Sequence, residues 1–451
     1  MSKPLMPPPQ SEGPSGLATV AETGSEQIGA ALRDSEPAKL RFRQLGPLFL
    51  AQATLYVAFI APSAFSLAIR LEQIAPEGKN TLLAIAVGLP ALFAVLIGPV
   101  AGVLSDRTRS RMGRRRPWLL GGGAMGLIGT TGIGLASTPA LIIAGWTVAF
   151  VGYTIVSIMI LAYLADRLPE SQRGRVAGIN GAITQIAPIA GVSVAGSFVH
   201  APVLMFAIPA AIAFFGGLVF VVLMKDPANP EARATLRTDE LLQGFWFNPR
   251  KYPNLGWVWL SKALVFTALS FLQLYNVYLI SSKLGLEATA VAALVASVGL
   301  LNVVAAIAGA IGSGYLSDKF SSRRPFLVVS ATTLGVGLVT VGSISSVPQY
   351  VIGSLICSLS IGVYGSVDQA LQLDVLPPEE NQNGRYLSTL NLANQSTQAV
   401  GPFMAAGVLL LAGGDYSWVY YVAALFTVLG AVAIIPVKTS KHSETGPVTT
   451  Q

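Results

Sequence analysis

Two side chains in this sequence stand where charge is costly. Lys262 and Asp368 are ionisable groups set well inside long apolar stretches, about seven and six residues from one end of each. At a rise of 1.5 Å per residue both lie roughly 10 Å deep, at matching heights. An opposite charge alongside would lower the cost and hold both ionised, and a water-filled cavity could instead solvate each separately. An acid beside a lysine can take up and release a proton, so the chemistry on offer is proton transfer. Nothing else in the chain suggests catalysis. There is no HExxH, P-loop, nucleophile elbow or Cys/His metal spacing. Cys357 is the single cysteine, and His200 and His442 are far apart. The sequence therefore predicts no enzyme, no ATP-driven pump, no cofactor and no metal site.

The elements that position these groups are apolar helices. Hydrophobic residues make up 52% of the chain and charged residues 11%, against about 25% charged in a soluble domain. The solvent is mostly lipid. Twelve apolar stretches near the roughly 20 residues a bilayer requires lie at 45–69, 81–105, 117–136, 139–164, 174–199, 202–224, 255–281, 286–316, 325–344, 348–374, 385–412 and 415–437. Residues 1–43 are rich in Pro, Ser, Gly and Glu without an apolar run, and read as a disordered cytoplasmic tail rather than a signal peptide. The predicted organisation is a six-helix bundle over 44–224, a cytoplasmic linker over 225–254, a second bundle over 255–437, and a cytoplasmic tail over 438–451.

The net charge of +7 does not signal nucleic acid, because the cations sit in short loops. Of 29 Lys and Arg, 25 fall in the tail and the loops that follow even-numbered spans. Arg70, Lys79 and Lys283 fall on the other side, and Lys262 is inside a span. That bias predicts a multi-pass protein of the cytoplasmic membrane with both termini in the cytoplasm.

The densest basic loop is GPVAGVLSDRTRSRMGRRRPWLL, residues 98–120. An apolar helix ends at Asp106, and Arg107, Arg109, Arg111, Arg114, Arg115 and Arg116 follow before Pro117 opens the next. The device recurs: Gly102–Asp106 matches Gly314–Asp318, and Arg115-Arg116-Pro117 matches Arg323-Arg324-Pro325. A second landmark lies downstream in each half, Asp166-Arg-Leu-Pro169 before Gly174-Arg175, and Asp374-Val-Leu-Pro377 before Gly384-Arg385. Two landmarks keeping register argue for a duplicated unit used twice in one orientation.

Twelve spans, a six-plus-six repeat and the GxLxDRxxxR…GRRRP loop resemble the major facilitator superfamily over residues 45–437. DRTRSRMGRRRPWLL looks most like its sugar-transporting branch, the glycoside–pentoside–hexuronide and sucrose-type symporters. Leu161-Ala-Tyr-Leu-Ala-Asp166 and Val367-Asp368-Gln-Ala-Leu371 add to this. The chain departs from melibiose-type carriers, which carry paired acids in span two where Thr81–Ser105 has none. It departs from plant sucrose carriers, which have an arginine at the position of Leu161.

The resemblance implies that spans one, four, seven and ten line a central cavity. Side chains sharing a face at helical spacing are then Gln52, Tyr56, Phe59, Ser63 and Ser66 in span one, and Trp146, Phe150, Tyr153 and Ser157 in span four. Span seven offers Lys262, Phe266, Ser270 and Gln273, with Asn276 adjacent. Span ten offers Cys357, Ile361, Tyr364, Asp368 and Gln372, and span eleven adds Asn391, Gln395, Gln398 and Pro402. Rows of amides and hydroxyls in hydrocarbon mark a polar cavity or bonds between helices. A sugar needs these groups and aromatic faces. The substrate-binding candidates are Gln52, Tyr56, Tyr153, Ser157, Gln273, Asn276, Tyr364, Asn391, Gln395 and Gln398. Asp368 and Lys262 are the proton-coupling pair. The resemblance also implies a gate at Gly102, Asp106, Arg107, Gly113 and Arg114, with Asp106 meeting the start of span eleven near Gly384. By symmetry Asp318 and Arg323 form its counterpart near Arg173 and Gly174.

The expectation is an all-α polytopic protein of two pseudo-symmetric six-helix bundles. It would move a small polar solute, a sugar, by alternating access and proton symport. Its partners would be that solute, protons and the bilayer, in a monomer. The alternatives are a proton-driven exporter of amphipathic compounds and a nutrient sensor that does not transport.

Overall fold

The computed structural model describes residues 42–224, 226, 250, 252–320, 322–374 and 383–437. The expected tails and nearly all of the 225–254 linker lie outside them. Twelve long helices make up the described residues. Helix one runs Phe42–Ala61, through a π-helical turn at Pro62–Ser66, to Leu67–Ile74. Helices two to six are Lys79–Arg107, Arg116–Leu135, Pro139–Arg167, Glu170–Gly196 and Pro202–Leu223. Helix seven, Pro253–Leu274, breaks at Tyr275 and resumes as Asn276–Leu284. Helices eight to twelve are Ala288–Lys319, Arg324–Gly342, Val347–Asp374, Asn383–Leu411 and Tyr416–Ile434.

Eleven of these are long and apolar enough to cross a membrane. Helix eleven is the exception, because amides at Asn383, Asn391, Asn394, Gln395 and Gln398 dilute it. It stays in the bundle by packing between helices two and seven.

Local signals start the helices. Pro117, Pro139, Pro202 and Pro253 stand in the first turn, where a missing N–H costs nothing. Asp415 caps helix twelve by accepting from the Ser417 N–H at 3.1 Å. Between helices, lipid supplies no hydrophobic drive, so close approach depends on small residues. A Cβ at Gly129 would lie 2.5 Å from the Gly145 carbonyl oxygen. In the second half a Cβ at Gly362 would lie 2.0 Å from that of Ala306.

The duplication is visible in the packing. Helix three packs on four and six as nine packs on ten and twelve. Helix one packs on five and six as seven packs on eleven and twelve. The halves meet where helix two lies along eleven and five along eight. The arginine loops all lie at one end of the bundle, its basic end.

Candidate functional site

A cavity lies between the halves, in two lobes of about 410 and 540 Å³. Both fall within the roughly 300–1,000 Å³ of small-molecule sites. Tyr56, Phe59, Ala91, Phe150 and Gln398 line both lobes and form a waist between them. The Phe59 and Phe150 rings meet edge-to-face there, with centroids 4.9 Å apart. The first lobe adds Ser63, Ser270, Gln273 and Asn394 as hydrogen-bonding groups. The second, nearer the basic end, adds Thr154, Ser157 and Gln395.

Of the expected substrate contacts, the structure brings Tyr56, Ser157, Gln273, Gln395 and Gln398 to this cavity. Others go elsewhere. Tyr153 touches the Phe59 ring at 5.7 Å, but its hydroxyl lies between helices three and four, 3.0 Å from Thr130 and donating to the Gly126 carbonyl at 3.3 Å. Gly126 leaves the room for that ring. Asn276 lies beyond the break in helix seven and donates to the Tyr350 hydroxyl at 3.1 Å. Tyr364 is buried, its hydroxyl 3.3 Å from Ser261. Gln52 is 8% exposed and its carbonyl oxygen has no partner among the described residues. The side chain of Asn391 is outside the described part.

Ser66 is buried rather than cavity-lining. The π turn at Pro62–Ser66 inserts extra backbone and rotates the residues beyond it. Helix ten supplies no lining residue to either lobe, whereas helix two supplies Val87, Ala91 and Gly98. The second-half wall is helices seven and eleven. Asn394 and Thr154 were missed, although each sits one turn from a residue on an expected face. Ser270 lay on the expected face of span seven without being counted among the contacts.

The two intramembrane charges meet. Lys262 Nζ is 3.2 Å from Asp368 Oδ2, with each side chain 6% exposed. Gln372 donates to the same oxygen at 2.6 Å. Lys262 Nζ also lies 5.7 Å from the centroid of Phe266, a residue of the first lobe. The pair therefore sits one helical turn from the cavity, its charges mutually compensated.

At the basic end the arginine loop binds its own half. Arg115 is buried and reaches Asp166 with Nε at 3.0 Å and Nη2 at 2.5 Å. Asp106 lies 3.5 Å from Arg115 and 3.7 Å from Arg114. Arg114 also pairs with Asp166. Asp226, just past the end of helix six, accepts the backbone N–H of Arg115 at 2.7 Å and of Arg116 at 3.1 Å. That carboxylate neutralises the positive start of helix three. Gly113 has φ +106°, and a Cβ there would fall 2.3 Å from Asp226 Oδ2. No other residue type fits that turn. Asp226 was not anticipated, because it stands where the sequence reads as a linker. Nothing lies within 4 Å of where a Cβ on Gly102 would stand. Arg107 and Arg323 both have partners. The side chains of Asp318 and Arg173, Gly174, and the side chains at the start of helix eleven lie outside the described part, so the expected contacts there do too.

The opposite end is closed by bonds that cross between halves. Tyr278 donates to the Ala68 carbonyl at 2.7 Å and Tyr275 to the Asn80 carbonyl at 3.0 Å. Tyr416 donates to Asn80 Oδ1 at 2.7 Å. Lys79, paired with Glu72, lies 4.7 Å from the Tyr278 ring centroid.

A sequence profile of the Major Facilitator Superfamily matches residues 48–313 and 258–450. A general alpha-glucoside permease of Schizosaccharomyces pombe is 41% identical over 75 residues, 17% of this chain and 14% of the permease. The match thus spans about one-seventh of that relative's length. A crystal structure of a bacterial homologue of the human lysosomal transporter Spinster, inward-facing and unoccupied, superposes with TM-score 0.67 at 15% identity, covering 89% of this chain and all of that one. The nucleoside transporter NupG gives 0.70 at 12% identity, over 88% of this chain and all of that one. A D-xylose-proton symporter gives 0.60 at 16%, over 88% and 96%. Similarity at that level establishes the fold alone.

Proposed function

The chain belongs to the major facilitator superfamily and is a multi-pass transport protein, not an enzyme; we propose that it carries a small sugar across the cytoplasmic membrane by proton-coupled symport. The observation that carries this reading is the buried Lys262–Asp368 pair, one turn from a cavity lined by amides, hydroxyls and aromatic rings. Sugars present an apolar ring face and many hydroxyls, and those residue types complement both. The short likeness to an alpha-glucoside permease supports a sugar over an amphipathic drug.

In this mechanism Asp368 carries the proton and Lys262 holds it ionised until the proton arrives. Protonation of Asp368 frees Lys262, changes the charge beside Phe266, and alters which cavity conformation is favoured. Both termini and the basic end face the cytoplasm, following the charge bias of the loops.

Uptake into proteoliposomes tests this. Wild-type protein should accumulate sugar when the pH gradient is inward and acidic outside. Asp368→Asn should lose accumulation and keep exchange of labelled for unlabelled sugar. Lys262→Ala should move the pH optimum upward, since the carboxylate then lacks its counter-ion. Concentrative, pH-dependent uptake by Asp368→Asn equal to wild type would overturn the coupling scheme. For orientation, a cysteine placed in the 69–80 loop should react with an impermeant thiol reagent from outside cells, and one at position 240 should not.

A further inference from the structure

We propose that Gln372 is a positioning residue of the proton site: its amide holds the Asp368 carboxyl in one orientation and sets the pH at which the carrier couples. The inference rests on the reading of Asp368 as the proton carrier and adds the group that tunes it.

The geometry is the first observation. Asp368 and Gln372 stand four residues apart on helix ten, so their side chains are neighbours on one face. Gln372 Nε2 donates to Asp368 Oδ2 at 2.6 Å, and Lys262 Nζ lies 3.2 Å from the same oxygen. Both donors converge on Oδ2, which leaves Oδ1 as the oxygen to take the proton. A carboxyl protonated there still presents Oδ2 as a carbonyl acceptor. The Gln372 bond therefore survives in both states, while the charge attraction to Lys262 does not. A hydrogen bond to the ionised oxygen is the stronger of the two, so the amide favours the ionised form.

Other ionisable groups around the pair are engaged elsewhere. Tyr364, one turn away on helix ten, has its hydroxyl 3.3 Å from Ser261 of helix seven. Helices eight and nine pack on helix ten. Their described ionisable side chains are Tyr315, Lys319 and Arg324 at the basic end, and none of these pairs with Asp368.

The duplication supplies the second observation. Asp374 and Asp166 are matching landmarks of the two halves. Asp368 and Gln372 stand six and two residues before Asp374. Six and two residues before Asp166 stand Ile160 and Leu164, 1% and 6% exposed. The first half thus closes over apolar side chains at both positions. Gln372 is 6% exposed in the second half, where an amide costs free energy that leucine does not. Packing does not call for the amide, and the carboxylate does.

Infrared difference spectra of the purified full-length protein, recorded through a pH titration without substrate, test this. A protonated-carboxyl band present in the wild type and missing in Asp368→Asn reports Asp368. In Gln372→Leu, which installs the first half's own side chain, that band should titrate about one pH unit higher, the effect of one lost hydrogen bond to an ionised group. Its frequency should also rise, because the carbonyl oxygen has lost its donor. Lys262→Ala should move the midpoint further in the same direction. A side chain with only a packing role would move neither quantity. Gln372→Met keeps the chain length and serves the same comparison if leucine impairs folding. Wild-type midpoint and frequency in these variants would overturn the role of Gln372 and leave proton coupling through Asp368 standing. If no band separates wild type from Asp368→Asn at any pH, Asp368 takes up no proton, and the coupling reading falls together with this inference.

Discussion

At the basic end the polar side chains bond within the first half, Arg114 and Arg115 to Asp106 and Asp166, Asp226 to the start of helix three. At the opposite end the bonds run across the interface, from Tyr275, Tyr278 and Tyr416 of the second half to Ala68 and Asn80 of the first. The first arrangement makes one half rigid. The second holds two halves together. A carrier that opens alternately at each end must break the crossing bonds on every cycle and keep the internal ones. The latch therefore consists of neutral hydroxyls on oxygen acceptors, each worth about 1 kcal/mol net, and the internal brace of ion pairs that cost more to lose.

The largest effect should come from removing the brace. Arg115→Ala deletes two hydrogen bonds to Asp166 and the contact with Asp106. Bonds to charged groups contribute about 1.5–3 kcal/mol, and Asp166 is only 35% exposed. The variant should lose about 2–3 kcal/mol of stability, read as a fall in apparent Tm in detergent. Arg115→Lys should recover little, since an ammonium cannot reproduce the planar fork. Full stability in Arg115→Ala would show that Arg114 alone braces the half.

Next comes the latch. Tyr278→Phe combined with Tyr416→Phe removes two crossing bonds and leaves the rings packed, Tyr278 on Tyr416 at 6.0 Å. About 2 kcal/mol of closure is lost, a shift of roughly thirtyfold toward opening at this end. Spin labels on the 75–78 and 412–415 turns should report a longer-distance population that the wild type lacks. An unchanged distance distribution would mean that packing at Gly88 against Phe403, or at Gly196 against Ala292, closes this end without the hydroxyls.

How much of this could be read in the sequence depended on whether one helix sufficed. Lys262 and Asp368 were legible because charge in an apolar stretch is anomalous on its own helix, and matching depth then paired them. Helix eleven was read from its length as one of twelve apolar stretches, and the structure gives a long helix there, Asn383–Leu411, that is less apolar than the other eleven. Tyr153 shows the limit. Helical spacing places its Cβ near the cavity face, but Gly126 on another helix opened room for the ring to turn away. Ser66 and Asn276 were displaced by the π turn and by the break at Tyr275, irregularities that periodicity assumes away. Tyr275, Tyr278 and Asn80 drew no attention, since a tyrosine near a span end is ordinary until its acceptor across the interface is known.

A smaller effect separates the two ends through Asp106. It is half exposed, and its partners at 3.5 and 3.7 Å are loosely held. Asp106→Asn should change the stability of this conformation by under about 1 kcal/mol. If the proposed gate closes on helix eleven, the same change should bias labels at the basic end toward separation and slow transport while sparing binding. Wild-type transport would assign Asp106 to neutralising the loop and nothing more.

The smallest effect concerns the rim of the closed end, where Lys283 lies 3.2 Å from Asp415. The Ser417 backbone N–H, and then the Ser417 side chain and Lys283, hold the Asp415 carboxyl below the usual carboxylate range. A carboxyl depressed in the folded state contributes stability that is present above its unfolded value, near 3.9, and is lost as pH falls through the folded one. The pair should thus be indifferent to pH between about 5 and 8 and weaken only below about 4. Both side chains are partly exposed, so salt screens the attraction between them. Asp415→Asn keeps an amide oxygen able to cap helix twelve and should cost only a few tenths of a kcal/mol. Asp415→Ala loses the cap and should cost about 1 kcal/mol. Thermal unfolding of both variants at pH 7 distinguishes the contributions. If Asn and Ala cost the same, the ion pair with Lys283 rather than the cap holds this rim. The closed end would then rest on charge as the basic end does, and raising the salt concentration should loosen it.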